Sequence, residues 1–127
     1  MLKSYLYLNN TADKGKGVFT QERIPKGIVI EESPVIVMEE SDRTFLDKTK
    51  LHDYIFEWGS GTGKCCMALG WIPMYNHSYA SNCEYIMDYE DETITIQTVR
   101  VIESGEELTI NYNGDWNDET PIWFEAK

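Results

Sequence analysis

At 127 residues the chain has the length of one domain built around a single core. With 42% hydrophobic and 26% charged residues and no low-complexity tract, its composition excludes a disordered chain. A formal net charge of −11 argues against direct nucleic-acid binding, because a polyanion would be repelled, and suits a basic protein or peptide partner.

Met1-Leu2-Lys3-Ser4-Tyr5 opens no signal-peptide core, and no apolar run approaches the roughly 18 residues of a membrane span. The expected setting is intracellular: cytoplasmic, or nuclear in a eukaryotic host. Tyr5–Leu8, Gly17–Thr20, Ile28–Glu31 and Val35–Met38 are rich in β-branched and aromatic residues and predict short strands, with Ile24-Pro25-Lys26-Gly27 as a turn. From Thr44 to Trp58 the period changes, Phe45, Leu51, Tyr54 and Ile55 gathering on one side, which predicts a helix ended by Gly59 and a helical insert over about 44–70. Gly59-Ser60-Gly61-Thr62-Gly63-Lys64 is not a phosphate loop. Trp58 stands where its first glycine is needed, and Cys65 where Ser or Thr would hold magnesium, so the segment reads as a flexible connector.

Cys65, Cys66 and Cys83 are odd in number and lack the paired spacing of a zinc site, so reduced thiols and no metal are expected. Cys83–Tyr89 and Thr93–Ile102 predict a hairpin around the acidic turn Asp88-Tyr89-Glu90-Asp91-Glu92, whose spacing does not fit a calcium loop. Ser104-Gly105 turns the chain into a last strand, Leu108–Tyr112, and residues 113–127 follow as a closing tail. Periodicity alone supports a mostly β domain with one or two helices.

Three segments carry more than strand and turn signals. Gly15-Lys16-Gly17-Val18-Phe19 fits either a bulge or hairpin glycine pair or a close approach of backbone to a ligand, which only residues without Cβ permit. Asn76-His77-Ser78, with Asn82 shortly after, holds either a core histidine with satisfied nitrogens or a pair of ligand-binding polar groups. Gly105-Glu106-Glu107-Leu108-Thr109-Ile110-Asn111-Tyr112 ends a strand on a tyrosine that is either a core aromatic or a hydroxyl aimed into a site.

In order and spacing these segments resemble the signatures of the SET-domain protein-lysine methyltransferases, most closely the minimal viral and bacterial members, whose lead-in Met67-Ala68-Leu69-Gly70 is also matched. The resemblance runs from about Tyr5 to Phe124. It implies a single SET domain over 1–127 with the β-clip fold: several small antiparallel sheets, a short helical insert and a C-terminal pseudoknot uniting Asn76-His77 with Tyr112. It also implies S-adenosyl-L-methionine as methyl donor, S-adenosyl-L-homocysteine as product, and no metal.

By the same resemblance Gly15, Lys16, Gly17, Asn76, His77, Tyr112 and Trp123 would bind the cofactor. Trp123, with Trp116 and Phe124, would close over adenine in place of the cysteine cluster of many relatives. Tyr112 and Tyr85 would act catalytically, and Tyr5, Tyr85 and Ile110 would line the lysine channel. Ser81 stands where the family usually has proline before the second Asn. Methyl transfer to lysine needs a neutral amine held in line with the methyl group in a channel that excludes water, a task for tyrosines and backbone carbonyls more than for acid–base triads.

The implied function is methylation of a lysine in a basic protein tail, histone or histone-like, without direct binding of nucleic acid or membrane, and compatible with a homodimer. A catalytically weak SET-like peptide-binding module and an unrelated β-clip binding or assembly domain are the competing readings.

Overall fold

In the computed structural model, which describes residues 1–113, Leu6–Asn10 (β1) and Lys16–Thr20 (β2) form an antiparallel hairpin. The Thr11 N–H and hydroxyl both donate to the Gly15 carbonyl, at 2.7 and 2.8 Å, and Gly15 supplies the positive φ of 74° that this loop requires. Val29–Met38 (β3) is one strand of ten residues where the sequence predicts two. Pro34 lies exposed in it where the strand exchanges one neighbour for another, a break that tolerates a residue without an N–H.

The helix expected over 44–58 is shorter and earlier. Glu40–Leu46 (α1) starts behind Glu39, whose N–H donates to the Asp42 carboxylate at 3.3 Å, and carries Glu40 and Asp42 in its first turn, where the helix dipole favours negative charge. Thr49 ends the run: its hydroxyl accepts the Leu51 N–H at 3.2 Å and caps a separate 3-10 turn, Lys50–Asp53. The residues that suggested one apolar face separate, Phe45 being 71% exposed while Ile55 is buried. The segment 44–70 holds a small hairpin as well as helical turns, Phe56–Glu57 (β4) pairing with Cys65–Ala68 (β5). Residues 59–64 are its loop, fixed by the Trp58 N–H on the Lys64 carbonyl at 3.0 Å and the Thr62 hydroxyl on the Trp58 carbonyl at 2.6 Å.

A 3-10 turn, Ile72–Met74, delivers Asn76–His77 (β6). Cys83–Asp88 (β7) and Thr93–Thr98 (β8) make the expected hairpin, and the Asp88 carboxylate accepts the N–H groups of Glu90 and Asp91 at 3.1 and 3.0 Å, tying down the acidic tip. β8 stops short of Ile102, which bridges to Ile24 instead. Glu107–Ile110 (β9) completes two curled sheets, ordered β1-β2-β9-β6 and β4-β5-β3-β8-β7. Val18, Ile30, Ile94, Ile96, Leu108 and Ile110 are fully buried in a core shared by both. The result is the mostly β architecture of small, largely antiparallel sheets that the resemblance implies. Among the described residues no helix is long and apolar enough to cross a membrane.

β9 lies between β2 and β6, antiparallel to the first and parallel to the second, with Asn76 opposite Thr109 and His77 opposite Ile110. Buried Asn82 fixes it there, donating to the Glu107 carbonyl at 2.7 Å and the Glu106 carboxylate at 3.1 Å and accepting the Thr109 N–H at 2.8 Å. Asn82→Ala leaves that N–H without its acceptor, and urea unfolding should show a loss of about 1–3 kcal/mol at unchanged m value. Parental stability in this variant would mean that strand pairing alone holds β9.

Candidate active site

Asn76 reaches across toward β2. Its side-chain amide donates to the Lys16 carbonyl at 3.1 Å and to the Glu107 carboxylate at 2.8 Å. A Cβ added at Gly17 would meet that carboxylate and come within 2.9 Å of the Asn76 amide nitrogen. Gly17 is therefore required by the close approach of two side chains of the protein itself. Gly15 differs, since a Cβ there would meet nothing within 4 Å and only the positive φ constrains it. Lys16 contributes its carbonyl while its side chain is exposed, and it is Lys14 that turns inward, donating from Nζ to the His77 carbonyl at 3.0 Å.

His77 is buried with its Nδ1 accepting the Tyr112 N–H at 3.0 Å, so the ring hydrogen sits on Nε2. Nε2 is buried and meets no hydrogen-bond partner among the described residues. Burial, and then the nearby Lys14 cation, hold the imidazole pKa below its usual value. The ring packs against Tyr79 with centroids 4.4 Å apart and against Tyr112 at 5.1 Å.

Tyr112 is the junction of the site. Its hydroxyl donates to the Tyr75 carbonyl at 2.8 Å, and its own carbonyl accepts the Tyr85 hydroxyl at 3.1 Å. Phe56 stands edge-on to both rings, 5.2 Å from Tyr85 and 6.2 Å from Tyr112. A pocket lined by Asp53, Tyr54, Ile55, Phe56, Pro73 and Tyr112 opens beside them. Burial, followed by the charges of its neighbours, raises the Tyr112 pKa, so the phenol stays protonated near neutral pH and acts as a donor.

Of the residues singled out in sequence, Gly17, the Lys16 carbonyl, Asn76, His77, Tyr85 and Tyr112 are brought together. Ile110 is fully buried in the core, supporting the backbone behind Tyr112, and presents no open face to a channel. Tyr5 packs half-buried against the core, its carbonyl accepting the Gln21 N–H at 2.9 Å beyond the end of β2. Trp116, Trp123 and Phe124 lie outside the described residues. Lys14, Phe56 and Tyr75 escaped the sequence reading, for Lys14 adjoins the glycine segment without belonging to it, and β4 is too short for a periodicity signal.

Residues 15–113 match the family model of the SET domain. Over 126 residues the chain is 35% identical to the histone-lysine N-methyltransferase of Schizosaccharomyces pombe that is specific for lysine 37 of H3, a match covering 98% of this chain and 80% of the relative. A crystal structure from Plasmodium falciparum, described as a histone methyltransferase, superposes with a TM-score of 0.67 at 25% identity, covering 91% of this chain and 98% of that one.

The lowered His77 pKa has a pH consequence. The unfolded chain takes up the imidazole proton first, at about pH 6.5, so stability is intact above that pH and is lost as the pH falls toward the lower folded value. His77→Gln lacks this limb. Urea unfolding of both proteins at pH 7.5 and 5.5 should show the stability gap between them moving against the parent at the lower pH, whereas a constant gap would mean that the ring is not held neutral.

Proposed function

The chain belongs to the SET-domain family of protein-lysine methyltransferases, and we propose that it transfers a methyl group from S-adenosyl-L-methionine to a lysine in a basic protein tail, histone or histone-like. The observation that carries this reading is the junction at Tyr112. A protonated hydroxyl is held on the Tyr75 carbonyl, the adjoining N–H is held by His77, and Phe56 and Tyr85 wall the space beside it. S-adenosyl-L-methionine, when bound, supplies an electrophilic methyl group on a positively charged sulfur. The residues fit such a group: the His77 Nε2–H is a buried donor with no acceptor among the described residues, and the space at Gly15 is open to the approach of a ligand. Asn76, His77 and the backbone of residues 15–17 would hold it.

What the protein adds is placement. Lysine must attack as the neutral amine, and deprotonation at pH 7 costs about 4–5 kcal/mol for a free side chain. Aromatic walls at Phe56, Tyr85 and Tyr112 lower that cost by excluding water from the ammonium form. Tyr112 orients the amine as a fixed dipole; its raised pKa keeps the phenol protonated, so no phenolate serves as base. The excess of carboxylates suits a basic tail, and an intracellular setting, nuclear in a eukaryotic host, follows from such a substrate. A C-terminal pseudoknot belongs to the same proposal.

Calorimetry should detect stoichiometric binding of S-adenosyl-L-homocysteine, weakened in Asn76→Ala, whose missing amide frees Glu107 and the Lys16 carbonyl. Tyr112→Phe should bind it as the parent does and turn over roughly a hundredfold more slowly. Absence of binding by the parent, or full activity of Tyr112→Phe, overturns the reading. Tyr85, hydrogen-bonded to the Tyr112 carbonyl, narrows the same space. The parent should therefore stop chiefly at monomethyl-lysine and Tyr85→Phe should yield more di- and trimethyl-lysine. Mass spectrometry at exhaustive turnover decides it, and abundant trimethyl-lysine from the parent would release Tyr85 from that role.

A further inference from the structure

Glu31 is fully buried in the core, and a buried carboxylate is tolerated only where donors replace its water. Three converge on it. The Ser33 hydroxyl and the Trp71 N–H donate to Oε2 at 3.0 and 2.7 Å, and the Tyr75 hydroxyl donates to Oε1 at 3.0 Å. A strand that buries Ile30 would, by strict alternation, send Glu31 outward. The bulge between Val29 and Glu31 resets the alternation, so that Ile30 and Glu31 both face in, followed by Ser33 and Val35, while Glu32, Pro34 and Ile36 face out.

The opposite wall is shaped to match. Gly70 has φ +65°, and a Cβ there would run into the Glu31 carboxylate and come within 2.5 Å of the Ser33 hydroxyl. Only glycine lets the chain pass close enough for the Trp71 N–H to reach Glu31.

Tyr75 joins this seat to the chemistry. Its ring is buried with the hydroxyl on Glu31, and its carbonyl accepts the Tyr112 hydroxyl at 2.8 Å. We propose that Glu31 is a positioning residue for methyl transfer: by anchoring the Tyr75 side chain it fixes the Tyr75 carbonyl, and through that carbonyl the direction of the Tyr112 hydroxyl. The inference rests on the role given to Tyr112 above and adds to it the element that sets the hydroxyl's orientation. Glu31 itself touches no reacting atom.

The test compares Tyr75→Phe, which keeps the ring and deletes only the anchored hydroxyl, and Glu31→Gln, each in the parent and in the Tyr112→Phe background, with core histones as acceptor. Tyr75→Phe should lower kcat about tenfold or more while KM for histone and the affinity for S-adenosyl-L-homocysteine stay within about twofold. In the Tyr112→Phe background it should lower kcat no further, because the group it orients is gone. Glu31→Gln, where it folds, should repeat both results. An undiminished kcat in Tyr75→Phe, or the same fractional loss in both backgrounds, overturns the inference and leaves Glu31 a purely structural residue. A slow Tyr112→Phe beside a fast Tyr75→Phe sinks this inference alone, whereas a fully active Tyr112→Phe sinks the reading of Tyr112 and this inference with it.

Discussion

The parallel pairing of β6 with β9 is the constraint on which the site depends. It rests on two residue pairs, Asn76 with Thr109 and His77 with Ile110, and it joins segments distant in sequence, so loop-closure entropy opposes it. Side chains make up the difference. Asn76 ties β6 to Lys16 and Glu107, Asn82 ties the start of β7 to the backbone of Glu107 and Thr109, and Lys14 ties the β1–β2 loop to the His77 carbonyl. The polar residues of the three sequence segments thus hold one another before they hold any ligand. The loop at Ser81 is fixed by the Val99 N–H on the Asn82 carbonyl and by the side-chain bonds of Asn82.

This arrangement also changes the meaning of the glycine segment. A pair of glycines before a strand suggests backbone yielding to a ligand, but at Gly15 it is the positive φ of the loop that asks for glycine. For Gly17 the space is filled by the Asn76 amide and the Glu107 carboxylate, side chains from two other segments. A sequence reading can see that a Cβ is unwelcome. It cannot see what occupies the room, which is a matter of tertiary register.

Much of the architecture was legible because it is written in local preference. The β-branched and aromatic runs of β1, β2, β7, β8 and β9 lie close to where strand preference and turn residues put them, within a few residues at their ends. Failures occurred where local preference was weak or overridden. Thr49 interrupts an apolar period that would otherwise extend α1, and β4 and β6, two residues each, exist only because β5 and β9 lie beside them. In the site, Asn76, His77 and Tyr112 were legible from their spacing. Glu31 was hidden by a single bulge, since a glutamate in an alternating strand is expected to face solvent.

The same glutamate shows how stability and placement pull apart. Burial raises its pKa, against the opposing pull of the Trp71, Ser33 and Tyr75 donors. A folded pKa above the unfolded one means that stability is lost as the pH rises through it, so at working pH the ionised carboxylate weighs against folding. An apolar residue of similar size would carry no charge, though it would leave the Trp71 N–H and the Ser33 hydroxyl without their acceptor. What an apolar residue would not do is hold the Tyr75 hydroxyl, and with it the carbonyl on which the Tyr112 hydroxyl rests. His77 has the opposite sign, losing stability as the pH falls. The two groups lie on either side of the short segment from Tyr75 to His77, whose backbone must be correct to within a fraction of an ångström for an in-line transfer. Core stability is given up at Glu31 and His77, where side chains set that backbone, while the surrounding isoleucine and leucine core supplies the excess that makes it tolerable.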